Sequence, residues 1–194
     1  MAHHKLWTPL SEADIRKLHL EDTVTIDGTI FGIRDATQIR IFDEGIPPPI
    51  ALTGSVCLHT APGVRKRPDG TYEKLSIGTT TSTRMDRFAP GLIETYGVRA
   101  IVGKGGLLEG SIQSMQKFGA AYLAIVGGAA ALETMQIEEI EQVWWEELMP
   151  ECLWKFRVKD FGPLTVGIDA HGNSLYHDVQ TAAQEKLKEL YARL

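Results

Sequence analysis

The sequence is poor in cysteine, with only Cys57 and Cys152 in 194 residues. Two thiols this far apart build neither a disulfide framework nor, alone, the ligand set of an iron–sulfur or zinc centre. So few cysteines suit a reducing compartment. Long apolar runs are also missing. The longest, Ala120 to Leu132, is interrupted by Gly127-Gly128 and falls short of the roughly 20 residues that cross a bilayer. The start, Met1-Ala2-His3-His4-Lys5-Leu6, lacks the apolar segment of a secretory signal. A cytoplasmic protein with no membrane segment is expected. There is no surplus of positive charge: 20 Lys and Arg stand against 25 Asp and Glu, a net charge of −5. That balance argues against coating nucleic acid, which rests on clustered cations over phosphates. The single basic run, Arg65-Lys66-Arg67, precedes Pro68-Asp69-Gly70 and reads as a solvated hairpin tip. A metal-spaced His/Cys set, a nucleophile elbow and a Walker motif are all missing. No self-contained active site is evident.

What is present is an alternation of strand and helix signals. Ser11-Glu12-Ala13-Asp14 resembles a capping box and predicts a short helix near 11–19. β-branched residues around Asp27-Gly28 predict a hairpin, Thr23–Ile26 turning into Thr29–Phe31. A helix follows over Arg34–Glu44, stopped by Gly45 and Pro47-Pro48-Pro49. Strands are predicted at Ser55–Thr60, Lys74–Ile77, Arg99–Val102, Tyr122–Val126, Ile140–Trp144, Trp154–Val158 and Leu164–Asp169. Helices are predicted at 85–96, where Pro90 perturbs the start, and at 109–118, 129–135 and about 178–194. One α/β domain over 1–194 results, a layered sheet with flanking helices.

Two polar loops could carry chemistry, since ligands of open α/β sheets gather at the carboxyl ends of strands. The first, Thr79-Thr80-Thr81-Ser82-Thr83-Arg84, places hydroxyls beside a guanidinium, which can grip a carboxylate with two parallel hydrogen bonds. A Ser/Thr-rich helix cap accounts for the same pattern. The second, Gly103-Lys104-Gly105-Gly106, lets backbone approach a ligand beside a point charge, or is simply a tight turn with a solvated lysine. Gly127-Gly128 reads as close helix–sheet packing. Arg34-Asp35 opens a helix after a strand: Asp35 reads as its cap with Arg34 free to reach a ligand, or the two form a surface pair. His59, in an apolar strand, reads as a core histidine. Trp144, Trp145 and Trp154 read as core or subunit-contact residues.

Taken in order, these loops resemble one family. Gly78-Thr79-Thr80-Thr81-Ser82-Thr83-Arg84-Met85-Asp86 is similar to the G-P-T-T-(S/A)-x-R-M-(D/E) signature of the iron–sulfur hydro-lyases, the class I fumarases, L-tartrate dehydratases and mesaconate hydratases. Ala100-Ile101-Val102-Gly103-Lys104-Gly105-Gly106 is similar to their A-x-x-G-K-G-G element, and Arg34-Asp35-Ala36 to their R-D-A. The tail agrees through Met149-Pro150-Glu151, Val158-Lys159-Asp160-Phe161 and Ile168-Asp169-Ala170-His171-Gly172-Asn173. Two positions depart: Thr79 replaces the signature proline, and Gln38 stands where the family commonly has histidine.

The resemblance implies a swivelling β/β/α domain acting as the β subunit. Its α-subunit partner would hold a [4Fe–4S] cluster, and this chain would bind no metal. It implies reversible hydration of fumarate to malate, with L-tartrate or mesaconate as alternative substrates. By the same resemblance Thr80 would take a substrate proton, and Arg34, Thr81, Ser82, Arg84, Lys104 and Gly105 would hold the dicarboxylate. A homodimer or a dimer of αβ pairs is the implied assembly. A non-catalytic, anion-binding domain of the same fold stays open beside this reading.

Overall fold

Runs of consecutive apolar residues mark strands covered on both faces, and four such runs build the centre of this protein. The computed structural model describes residues 1–126, 128 and 130–192, apart from the side chains of Ala130 and Glu189. In chain order, β1 (His3–Trp7) and the one-turn α1 (Glu12–Ile15) lead into β2 (Thr23–Ile33), α2 (Asp35–Phe42) and β3 (Val56–His59). A hairpin of β4 (Gly63–Lys66) and β5 (Tyr72–Ser76) follows, then a 3-10 stretch, Ser82–Phe88, continuous with α3 (Ala89–Glu94). The second half contains β6 (Ala100–Gly103), α4 (Glu109–Phe118), β7 (Ala121–Ala124), α5 (Ala130–Gln136), β8 (Ile137–Trp144), β9 (Leu153–Ile168) and α6 (Leu175–Tyr191).

Among the described residues the main sheet runs β1-β2-β3-β6-β7-β9-β8. β1, β2, β3, β6 and β7 are parallel neighbours. β9 runs antiparallel to both β7 and β2, so it closes β2, β3, β6 and β7 into a ring. Side chains alternate across each strand. Val24, Ile26, Ile30, Leu58, Val102 and Leu123 point inward to Trp154, Phe156 and Phe161 of β9. Ile33, Cys57, Ile101 and Tyr122 point outward, under Leu92 and Ile93 of α3 and Ile112 and Met115 of α4. This layered α/β arrangement matches the fold class expected from sequence.

Three local expectations are corrected. Asp27-Gly28 is not a hairpin turn. β2 continues through it, and Gly28, at φ +104°, sits where the register against β9 shifts. The turn chemistry is spent on an irregularity, because Asp27 accepts the Asp160 N–H and pairs with Lys5 at 2.9 Å. The two strands expected at 154–158 and 164–169 are one strand, β9, bent where Asp160 and Gly162 take positive φ. Residues 82–88 wind as 3-10 helix, and α-helix begins only at Ala89, with Pro90 in its first turn, where a missing N–H costs nothing.

The remaining elements shift at their ends. Arg65 and Lys66 lie in β4, and the hairpin turns at 67–71. Trp154 is core, whereas Trp144 and Trp145 are partly buried against the outer layer. A Cβ built on Gly128 would meet nothing within 4 Å among the described residues, so no close helix–sheet packing is seen there, and Gly127 lies outside the described residues. The last helix starts earlier than expected, at Leu175. Residues 193 and 194, expected within it, lie outside the described set. Among the described residues no helix is long and apolar enough to cross a membrane.

The entry to β2 is fixed by one buried carboxylate. Asp22 accepts the Ala2 N–H at 2.6 Å, the His19 N–H at 3.1 Å and a bond from His4 at 3.1 Å. The Ala2 bond above all holds its pKa down at about 2, against burial, which raises it. The folded-state value lies below the ordinary one, so this stabilisation is complete above about pH 4 and fades between about pH 4 and about pH 2. Asp22→Asn should lower Tm at pH 7 and flatten the loss of Tm across that window, as read by thermal melts at stepped pH.

Candidate active site

The parallel strands β2, β3 and β6 end on one side of the sheet. There they deliver Arg34-Asp35, His59 and Lys104. The segment after β5 crosses these ends. Thr79 bridges Thr60, the Thr80 N–H bonds the His59 carbonyl at 3.1 Å, and Thr81 bridges Lys104. The Ser82 N–H then donates to the Lys104 carbonyl at 2.8 Å. Thr83 Oγ1 donates to the Gly105 carbonyl at 2.9 Å. The two loops singled out in the sequence are therefore hydrogen-bonded to each other. Asp86 extends the joint to α4, accepting the Leu108 N–H and the Ser111 hydroxyl, each at 2.7 Å.

Charge is concentrated on one carboxylate. Asp35 Oδ2 takes Arg84 Nη2 at 2.9 Å and Arg34 Nε at 3.3 Å. The same Nη2 donates to Thr80 Oγ1 at 3.0 Å. Arg34 is also held by Glu151 at 3.3 Å, and Glu151 accepts the Ala36 N–H at 2.8 Å. Asp35 is therefore not the cap of α2. The cap position is Arg34, which makes no side-chain capping bond. Nor is Arg34 free, since two carboxylates orient it. Arg84 remains 52% exposed, so its outer face is open to a ligand. Lys104 is half-buried and, among the described residues, in no ion pair.

The candidate residues divide by environment. Thr80, Arg84 and Arg34 are linked by side chains through Asp35, and Lys104 is joined to them through the backbone bonds of its loop. Thr81 and Gly105 are exposed on the Lys104 side, and Gly105 takes φ +83°, a glycine conformation. Ser82 differs. It is fully buried, and its Oγ bonds His59 Nδ1 at 2.9 Å and the Tyr122 hydroxyl at 3.0 Å. Its side chain serves the framework rather than an open surface. Gln38 is likewise fully buried behind Arg34, donating to the Arg34 carbonyl at 3.3 Å and lying 2.9 Å from Met85 Sδ. Gln38 Oε1, His59 Nε2 and Thr79 Oγ1 are buried without hydrogen-bond partners among the described residues. Beside Gly105 opens a concavity of about 390 Å³, lined by Thr83, Leu107, Ser174, Tyr176 and His177 among others.

The residues present do not fit an iron–sulfur cluster. Cys57 lies in β3 and Cys152 just before β9, in different core layers. Burial pushes their thiols up to about 12 and about 11, far from the thiolate that binds iron. Among the described residues no three His, Cys, Asp or Glu side chains could share a metal.

Comparison with known proteins now decides the family. Residues 2–179 match the family model described as fumarase C-terminus. The chain belongs to that family. It is 43% identical over 171 residues to the L(+)-tartrate dehydratase subunit beta of Escherichia coli K12, covering 88% of this chain and 85% of that one. A Methanocaldococcus jannaschii chain provisionally named L(+)-tartrate dehydratase subunit beta is 36% identical over 93% of this chain and 95% of its own length. A Geobacillus stearothermophilus protein provisionally named fumarate hydratase class I is 36% identical over 95% of this chain but only 35% of its own length. This chain thus spans most of the length of the two beta subunits and about a third of the longer Geobacillus protein.

Sequence reasoning passed over Asp35 as a bridge, Glu151 as an orienting group and His59 as a site neighbour. Each signal lay in long-range pairing, which spacing along the chain does not encode. Gly103 could have been placed from its motif: a Cβ there would overlap Ser82 Oγ and lie 3.2 Å from the Tyr122 hydroxyl. Gly103→Ala should cost about 1–3 kcal/mol of stability, as overpacking does; urea unfolding would check it.

Proposed function

We propose that this chain is the β subunit of a two-subunit hydro-lyase that adds water to fumarate, or removes it from malate. Supporting this is the joining of the Thr80 hydroxyl to the Arg84 guanidinium at 3.0 Å, on a loop paired with that of Lys104. Arg84, Arg34 and Lys104 offer three cations to two carboxylates, and fixed pairing of this kind removes rotational freedom from the bound dianion. Lewis-acid chemistry belongs, in this reading, to a [4Fe–4S] cluster on the α subunit. This chain's share is to hold the carboxylates and to move a proton at Thr80 Oγ1.

A threonine hydroxyl is a weak base, and the bond from Arg84 addresses that weakness. A guanidinium donating to Oγ1 stabilises negative charge there and leaves the hydroxyl proton to point elsewhere. Asp35 holds the same Nη2 at 2.9 Å, so Arg84 need not reorganise as charge develops. The second reading is L-tartrate, favoured by the names of the relatives 43% identical to this chain. The residues described here read carboxylates, which both substrates share.

Co-expression with an α subunit, followed by assays on fumarate, malate, L-tartrate and mesaconate, tests the reading. Turnover of one diacid by the complex and none by the isolated chain is expected. Turnover by the isolated chain, or none by a cluster-loaded complex, refutes the division of labour. In the active complex, Thr80→Val should keep KM within about threefold and lower kcat at least about 100-fold. Arg84→Ala should raise KM and lower kcat together, because the same charge grips ground and transition states. Steady-state kinetics separate the two patterns.

A further inference from the structure

Behind the exposed cations lies a buried hydrogen-bonded chain that substrate binding leaves unexplained. Tyr122, on the outward face of β7, donates to Ser82 Oγ at 3.0 Å. Ser82 Oγ is in turn 2.9 Å from His59 Nδ1. All three side chains are fully buried. Tyr122 fills one of the two acceptor lone pairs of Ser82 Oγ and leaves the serine's own proton to be given. In the Nε2–H tautomer of the neutral imidazole that proton goes to Nδ1. Desolvation keeps His59 neutral, its pKa lowered to about 4 despite the nearby Asp35 charge, which raises it.

This chain grips the site from behind at two points. The backbone carbonyl of His59 takes the Thr80 N–H, and its ring takes the Ser82 hydroxyl. The Thr80-Thr81 pair is thus held at both ends by one histidine. The same serine donates its N–H to the Lys104 carbonyl at 2.8 Å. Gly103 lacks the Cβ that would collide with Ser82 Oγ, so the serine can sit directly behind the lysine loop. His59 Nε2 has no partner among the described residues, an arrangement that costs stability. An aliphatic residue would fill the space without that cost, so core packing alone does not account for the histidine.

We propose that His59, Ser82 and Tyr122 are positioning residues, which hold the Thr80 loop in place on the Lys104 loop through a Tyr122→Ser82→His59 hydrogen-bond chain. The proposal rests on the dicarboxylate reading of the site for its kinetic consequence, and on the geometry alone for its spectroscopic one. None of the three touches substrate. Their loss shifts the reacting hydroxyl, and a displacement of about 1 Å costs on the order of 100-fold in rate.

The kinetic test uses the αβ complex with His59→Leu, His59→Asn and Tyr122→Phe. Asparagine places an amide oxygen near the position of Nδ1 and can still accept from Ser82. His59→Leu and Tyr122→Phe should lower kcat about 10- to 100-fold with KM within about threefold, and His59→Asn should recover kcat to within about threefold of the parent. Unchanged kcat in folded His59→Leu, or an asparagine variant as impaired as the leucine one, overturns the proposal and leaves a purely structural role. The second test needs no partner. Nitrogen-15 NMR of the isolated chain at pH 7 should show His59 as the Nε2–H tautomer. Tyr122→Phe should shift both its Nδ1 resonance and the Thr80 amide. The Nδ1–H tautomer, or an unmoved Thr80 amide, overturns the proposal. If the complex turns over no diacid, the functional reading fails, and the NMR result still decides the hydrogen-bond chain.

Discussion

The site depends on one backbone bond, the Ser82 N–H to the Lys104 carbonyl. It joins a loop that leaves β6 to a segment that arrives from a separate hairpin, 22 positions earlier in the chain. Neither loop is a strand, so no ladder holds them, and a lone bridge in solvent is worth little. Here the bridge is backed by the bonds of Thr83 to Gly105 and of Asp86 to α4. It is also sealed by a glycine that admits the serine. Several weak links sharing one geometry make a rigid joint, because breaking one leaves the others to hold the arrangement.

On that joint the protein gathers like charges. Two guanidiniums on one small surface repel, by several kcal/mol at contact distance in a medium of effective dielectric about 20. Asp35 relieves the repulsion by accepting from both, and Glu151 lies against the same Arg34 Nε. The cations are therefore already held, and the ordering cost of their long side chains is met in folding. The exposure of Arg84 follows from the same design. Its inner face is committed to Asp35 and Thr80, and its outer face meets no second wall among the described residues.

The gross plan could be read from residue patterns because it rests on local physics. Consecutive apolar residues at Ala100–Val102 and Tyr122–Leu123 are strands with both faces covered, and Gly119 ends α4 in the left-handed conformation. The paired loops stood out because hydroxyls, glycine and cations are clustered there. What failed was what tertiary pairing decides. Asp27-Gly28 has the residues of a turn, but β1 on one side and β9 on the other hold it extended. Gly162-Pro163 has the look of a strand break, but β2 accepts a bend within one strand. Ser82 carries the same hydroxyl as its threonine neighbours, and nothing local distinguishes the one turned inward. A 3-10 winding from Ser82 onward rotates it toward Tyr122 while Thr81 and Arg84 remain outside.

The two departures from the family signature acquire a physical meaning in this setting. Thr79 and Gln38 are both buried, and each leaves one oxygen without a partner among the described residues. They flank His59 and Met85, the groups that back Thr80 and Arg84. A proline at position 79 would have no hydroxyl to satisfy, and a histidine at 38 would present a ring rather than a forked amide. The sequence therefore differs from its family behind the cations, not among them. The motif cations are kept, and what has changed is the packing behind them. The departures thus lie one layer beneath the exposed cations, where the hydroxyl and the guanidinium take their positions.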